Sequence, residues 1–143
     1  MPYFKVLSAV YVILERDGEV MLARRHNTGY CDGLYSLPAG HVDDGENTTE
    51  AMIREAKEEV GIEIKKEDLE FVHVGYRKVE PDHRIDFFFT CKKWLGEPKI
   101  IEPEKCDELR WVRVDQLPES TIPFIKKVFA NIQSGTDFAE YTE

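Results

Sequence analysis

Three glutamates, Glu55, Glu58 and Glu59, fall within one helical turn of a segment (residues 40–62) that reads GHVDDGENTTEAMIREAKEEVGI. Residues three and four apart share a helix face, so Glu55 stands beside both Glu58 and Glu59. Like charges at that spacing repel, by roughly 0.2–0.5 kcal/mol per pair on an isolated helix, and a bound divalent cation would compensate them. The cluster offers oxygen donors and neither Cys nor His, which selects hard cations such as Mg²⁺, Mn²⁺ or Ca²⁺ over zinc. The competing reading is a solvated acidic face, the ordinary fate of a charge run.

A helix is needed to hold these side chains together, and its punctuation is present. Asn47 fits the N-cap with Glu50 three residues on as a capping box, and Gly61 fits the left-handed stop. Met52, Ile53, Ala56 and Val60 form an apolar stripe at helical period, which anchors the helix on a core and leaves the glutamates along its rim. Arg54 is placed to pair with Glu46, Glu50 or Glu58, and so to orient carboxylates within the catalytic group rather than touch substrate.

Around that helix the chain reads mainly as strands. Residues 4–14 and 19–24 are apolar-rich runs on either side of the Asp17-Gly18 turn, a first hairpin. Residues 26–33 read as loop and residues 34–37 as a brief strand. Two long strands are expected at 69–77 and 84–94, with Phe87-Phe88-Phe89 marking the more buried one. A last strand at 108–114 precedes Asp115-Gln116-Leu117-Pro118, and residues 121–132 carry Ile122, Ile125, Val128, Phe129 and Ile132 at helical spacing. Strands, one internal helix, more strands and a terminal helix predict an α/β fold in which helices cover a mixed β-sheet.

At 143 residues the chain fits one domain, 1–143, able to bury about two-thirds of its unfolded-chain surface. A net charge of −9 and a pI near 5.0 argue against a protein that coats nucleic acid or docks on anionic membrane. Small anionic substrates stay open if a metal neutralises them locally. Cys31, Cys91 and Cys106 are odd in number and lack CxxC spacing, which points to reduced thiols and a cytoplasmic location. The apolar run 6–14 is too short to span a bilayer and is followed by Glu15-Arg16-Asp17, so it reads as a buried strand. A homodimer is compatible with such a chain.

Gly40, five residues, Glu46, seven residues, then Arg54-Glu55-Ala56-Lys57-Glu58-Glu59-Val60-Gly61-Ile62 resembles the complete signature box of the Nudix (MutT-like) hydrolases, matching every fixed position. Leu37-Pro38-Ala39-Gly40 also resembles the family's entry into the box, although many relatives have Gly where Ala39 stands. The resemblance implies a Nudix-type α/β/α sandwich with a mixed β-sheet. It also implies hydrolysis within the pyrophosphate of a nucleoside diphosphate linked to a moiety X. Mg²⁺, or Mn²⁺, would be held by Glu55, Glu58, Glu59 and the Ala39 carbonyl, neutralising phosphate oxygens and lowering the pKa of a bound water. Glu55 would share the roles of ligand and base.

Family members often add a carboxylate from a loop outside the box. Glu102, Glu104, Asp107 and Glu108 are the candidates, with Glu104 favoured as a further metal ligand. Arg24 and Arg25 close the first hairpin where MutT-like enzymes place a phosphate-contacting arginine, and the guanidinium fork suits phosphate oxygens. Strand alternation lets only one point inward, and Arg25 fits better. Tyr30, Tyr35, Phe87 and Phe89 could stack a base, although aromatics in strands are more often core. His41, inside the box, reads as a bystander.

The proline that marks the family's ADP-ribose subgroup is not matched, since Pro81 stands nineteen residues beyond Ile62. Tyr76 falls near, but not on, the position of the tyrosine of diadenosine polyphosphate hydrolases, and the upstream pattern of coenzyme A pyrophosphatases is absent. A nucleoside triphosphate, plain or modified, is therefore the expected small-molecule partner. ADP-ribose, a nucleotide sugar or a dinucleotide polyphosphate are the alternatives, as is a non-catalytic nucleotide sensor.

Overall fold

A computed structural model describes residues 2–142 of the chain. The strands are β1 (Val6–Arg16), β2 (Glu19–Arg25), β3 (Tyr35–Ser36), β4 (Ala39–His41), β5 (Leu69–Lys78), β6 (His83–Cys91), β7 (Cys106–Val112) and β8 (Phe138–Thr142). The helices are α1 (Thr48–Val60) and α2 (Pro123–Gln133), with short 3-10 turns at Lys66–Asp68 and Val114–Gln116. The sheet runs β3-β2-β1-β6-β5-β8, with β4 added to β1 and β7 to β2. It is mixed: β1 lies parallel to β6 and β5 parallel to β8, and the remaining pairs are antiparallel.

The period-2 alternation of β1 sorts the core into two layers. Val10, Val12 and Leu14 pack with Met52, Ala56 and Val60 of α1, while Ala9, Tyr11 and Ile13 pack with Phe88 and with Phe124, Ile125 and Val128 of α2. The result is the α/β/α sandwich that the resemblance implied. Phe88 and Phe89 are buried, whereas Phe87 is only partly so.

The first hairpin forms as expected, with Asp17 and Gly18 both at positive φ, but β1 and β2 are paired only at Glu15↔Val20 and Arg16↔Glu19. Beyond that point the strands part. β1 goes on to β4 and β6, and β2 to β3 and β7. The cleft between them is bridged by residues 36–41. Two strands were not anticipated. β4 is three residues long, with a glycine at its centre, and β8 follows the terminal helix after a Gly135 turn. The β7 strand starts two residues earlier than expected, and Trp94 lies beyond the end of β6.

Candidate active site

Helix α1 is built as its sequence requires. Asn47 Oδ1 accepts from the Glu50 N–H at 2.9 Å, Glu50 Oε1 accepts from the Asn47 N–H at 2.9 Å, and Gly61 ends the helix at φ 71°. Ala51, Met52, Ala56 and Val60 are buried against the sheet. That fixes the rotation of the helix and turns Glu55 and Glu59 toward β4, where Gly40 leaves room for the Glu55 carboxyl.

The three glutamates sit in different surroundings. Glu59 is partly buried, accepts the Ala39 N–H at 3.1 Å and has no ion-pair partner among the described residues. Desolvation, opposed by the Ala39 hydrogen bond and reinforced by Glu55 and Glu102, pushes its carboxyl up to about 8. Glu55 is half-buried, and burial raises its carboxyl although it meets Arg54 Nη1 at 2.7 Å. Glu58 is the most open, 54% exposed, and lies 3.2 Å from Arg54.

Arg54 is the hub of this arrangement. Its guanidinium contacts Glu46 at 2.6 Å, Glu55 at 2.7 Å and Glu58 at 3.2 Å, and it donates to the His41 carbonyl at 3.0 Å. Hydrogen bonding to Glu46 leads the forces that raise its pKa, so it stays charged. Of the pairings that the spacing allowed, it makes those to Glu46 and Glu58.

A cavity of about 550 Å³ runs along this face, lined by Glu55, Glu58, Glu59, Glu102, Arg24, Arg25, Lys105, Ala39 and Gly40 among others. A second cavity, of about 430 Å³, adjoins it and shares Arg25, Ser36, Ala39, Gly40 and His41. Its remaining walls include Tyr11, Tyr30, Arg77, Arg84 and Phe124.

The side chains meet these cavities differently from expectation in several places. Glu104 does not line either one, and Glu102 does. The turn explains this, because Lys105 and Cys106 both donate backbone N–H groups to the Glu102 carbonyl, which leaves Glu104 at the exposed tip and starts the turn with Glu102 at the wall. Asp107 and Glu108 are engaged by Arg24 at 2.7 and 3.3 Å.

Alternation does not choose between the two arginines, because a register shift at Arg24/Arg25 against β7 brings both to the larger cavity. Arg25 is fixed by the Tyr30 carbonyl at 2.6 Å and Thr28 Oγ1 at 2.9 Å. Tyr35 is buried in the core, and Phe87 packs on the α1 side of the sheet. Neither lines a cavity.

The aromatic wall is instead Tyr11, Tyr30 and Phe124, with the Arg77 guanidinium 4.2 Å from the Phe124 ring centre. Arg77 Nε meets Asp86 at 3.1 Å in the buried floor beneath. Arg84 and Asp86 alternate with Phe87 and Phe89, so charged residues occupy a covered face of an apolar strand. That pattern was the available signal for this pocket.

Among the described residues no three Asp, Glu, His or Cys side chains are already gathered around an ion-sized space, because Glu55 leans on Arg54 and Glu59 on the Ala39 N–H. The chemistry of the donors nevertheless fits a hard cation: all are oxygen, and Glu59 is a largely desolvated carboxylate without an ion-pair partner among the described residues. The three cysteines are free thiols. No helix among the described residues is long and apolar enough to cross a membrane.

The NUDIX domain family model matches residues 5–132. The chain belongs to the Nudix family. It is 28% identical over 116 residues to the NAD-capped RNA hydrolase NudC of Pseudomonas entomophila, a match that covers 81% of this chain and 40% of that protein. The chain therefore spans about two-fifths of the length of the curated relatives it matches. Among solved structures it is similar to the MutT NUDIX hydrolase from Burkholderia pseudomallei, with a TM-score of 0.81 and 24% identity over 88% of this chain and 97% of that one. It is also similar to the E. coli ORF135 protein, with a TM-score of 0.72 and 26% identity over 92% and 94% of the two chains.

Proposed function

We propose that this protein is a divalent-metal-dependent pyrophosphohydrolase that cleaves a phosphoric anhydride bond in a nucleoside diphosphate linked to X. A plain or modified nucleoside triphosphate, split to monophosphate and pyrophosphate, is the favoured substrate. The observation that carries this reading is the convergence of Glu55, Glu58, Glu59 and Glu102 on one cavity that Arg24, Arg25 and Lys105 also line. Carboxylates and cationic side chains lining one cleft are what a phosphate chain bridged to a hard cation requires.

Mg²⁺ fits the donor set of Glu55, Glu58, Glu59 and the Ala39 carbonyl, and when bound it supplies charge neutralisation for the phosphate oxygens and a lower pKa for a coordinated water. Glu59 would hold the cation as a carboxylate, which means releasing the proton that burial otherwise favours. Glu55 accepts the proton of the attacking water, with Arg54 holding its carboxylate in place. Arg25, rigidly tethered by the loop after β2, presents cationic charge to the phosphates. The aromatic walls of the smaller cavity enclose the remainder of the substrate. An acidic chain favours a small nucleotide over a polymer, and the free thiols suit a cytoplasmic setting.

The test is Mg²⁺-dependent release of phosphate or pyrophosphate from a panel of nucleoside triphosphates, dinucleotide polyphosphates, nucleotide sugars, ADP-ribose and NAD-capped RNA, the last chosen from the name of the NudC relatives. Selective turnover of triphosphates upholds the reading. Selective turnover of another member keeps the chemistry and replaces the substrate, and metal-independent turnover overturns it.

A further inference from the structure

Four of the arginines around the cleft, Arg24, Arg25, Arg54 and Arg77, are held by acceptors, three of them by carboxylates and Arg25 by the Tyr30 carbonyl and Thr28 Oγ1. Arg24, Arg54 and Arg77 are each held by carboxylates at 2.7, 2.6 and 3.1 Å. Arg84 has no ion-pair partner among the described residues. Asp86, on the same face of β6, is engaged by Arg77, and Glu80 and Asp82 lie on the exposed lip of the cavity. Arg84 Nε is buried with no hydrogen-bond acceptor. Leaving a guanidinium N–H buried and unsatisfied is unfavourable, and such atoms in native proteins call for an explanation.

Arg84 lines the smaller cavity, and its Nη2 donates to His41 Nε2 at 2.8 Å. His41 lines both cavities, so the pair stands at their shared border, with Arg84 on the side of the smaller one. A neutral imidazole anchors the guanidinium at Nη2 without supplying a counter-charge, and Nη1 is the donor end with no hydrogen-bond partner among the described residues. A purely structural arginine here would be expected to close on a carboxylate, as Arg77 does on Asp86.

We infer that Arg84, steadied by His41, is a phosphate-recognising specificity residue outside the glutamate helix, binding an oxygen of a linear polyphosphate where the substrate passes between the two cavities. The inference rests on the hydrolase reading for its substrate class but not for its binding chemistry. His41 is then a positioning residue.

The probe is inorganic triphosphate with Mg²⁺, which carries no base or sugar, titrated calorimetrically into wild type, R84Q, R84K and H41A. R113Q removes one equal charge from an exposed pair with Asp115 and serves as the control. R84Q is expected to weaken binding at least tenfold, R84K and H41A by a smaller factor, and R113Q by less than twofold. On the substrate found active, R84Q should raise KM while kcat stays within about threefold, the mark of binding shared by ground and transition states. Equal affinity of R84Q and wild type, equal losses in R84Q and R113Q, or no binding by wild type would each overturn the inference. Should R84Q fail to fold, R84K decides, since it keeps the charge and loses the fork. A threefold or greater loss supports the assignment and no loss ends it. Triphosphate binding that depends on Arg84 in a protein with no turnover would remove the hydrolase reading and leave this site standing.

Discussion

Gly40 and the carboxyl of Glu55 compete for one volume: a Cβ built on Gly40 would overlap Cδ, Cγ and Oε1 of Glu55. The glycine is required by close approach, since its φ lies outside the left-handed region and alanine could adopt its backbone. Gly40→Ala should therefore displace a flexible side-chain end rather than break the fold. Turnover is expected to fall by about a hundredfold or more, because small misplacements of a catalytic group are costly, while Tm moves by less than about 3 °C. A melting scan beside the activity assay checks both, and a fully active G40A would show that the Glu55 carboxyl need not sit where it does.

The desolvated carboxyl of Glu59 gives the metal-free protein a defined pH response. Its folded pKa of about 8 lies above the ordinary value of 4.5, so between those values the folded state holds the proton more tightly than the unfolded state. Stability then declines as pH rises from about 4.5 through about 8. Glu59→Gln removes this dependence and should exceed wild type at pH 8 by more than about 1 kcal/mol. Denaturant titrations with a chelator at pH 5, 6.5 and 8 make the comparison. Parallel curves for the two proteins would contradict it.

Arg54 neutralises several carboxylates at once, and lysine cannot reproduce its fork. Arg54→Lys should lower the stability of the metal-free protein by about 1–2 kcal/mol. Saturating Mg²⁺ should shrink that difference, because a cation among the glutamates relieves the same repulsion. A deficit that is unchanged by Mg²⁺ would mean Arg54 acts through the Glu46 and His41 tethers alone.

Glu102 and Glu104 offer a matched pair two residues apart. Glu102→Gln should weaken Mg²⁺ activation by about tenfold or more, whereas Glu104→Gln, at the exposed tip of the turn, should change it less than twofold. Apparent Mg²⁺ activation constants separate them, and the reverse ranking would restore Glu104 as the loop carboxylate.

The helix carrying the glutamates was legible to the residue because its information is local: a capping box, a 3.6-residue stripe and a terminal glycine all lie within fifteen positions. The long strands were legible from their apolar runs. What escaped depends on partners distant in the chain. β4 is too short to show a period and exists because Ala9, Val10 and Tyr11 pair with it. β8 is fixed by its pairing to β5 and by Tyr141, whose hydroxyl meets His73 and Asn131 at 2.8 Å. The arginine pair at 24 and 25 was misjudged because one irregular step against β7 undoes alternation, and Arg84 was missed because an unpaired charge declares itself only when its neighbours are known.

The wall that residues 36–41 place between the two cavities bears on the fate of the products. A ligand spanning both chambers is held as a bidentate guest, each half raising the effective concentration of the other. On the proposed reading, cutting a bond of such a ligand would sever the tether and leave each fragment with only its own single-site affinity. A cleft of this shape would then favour whole ligand over its fragments by geometry alone.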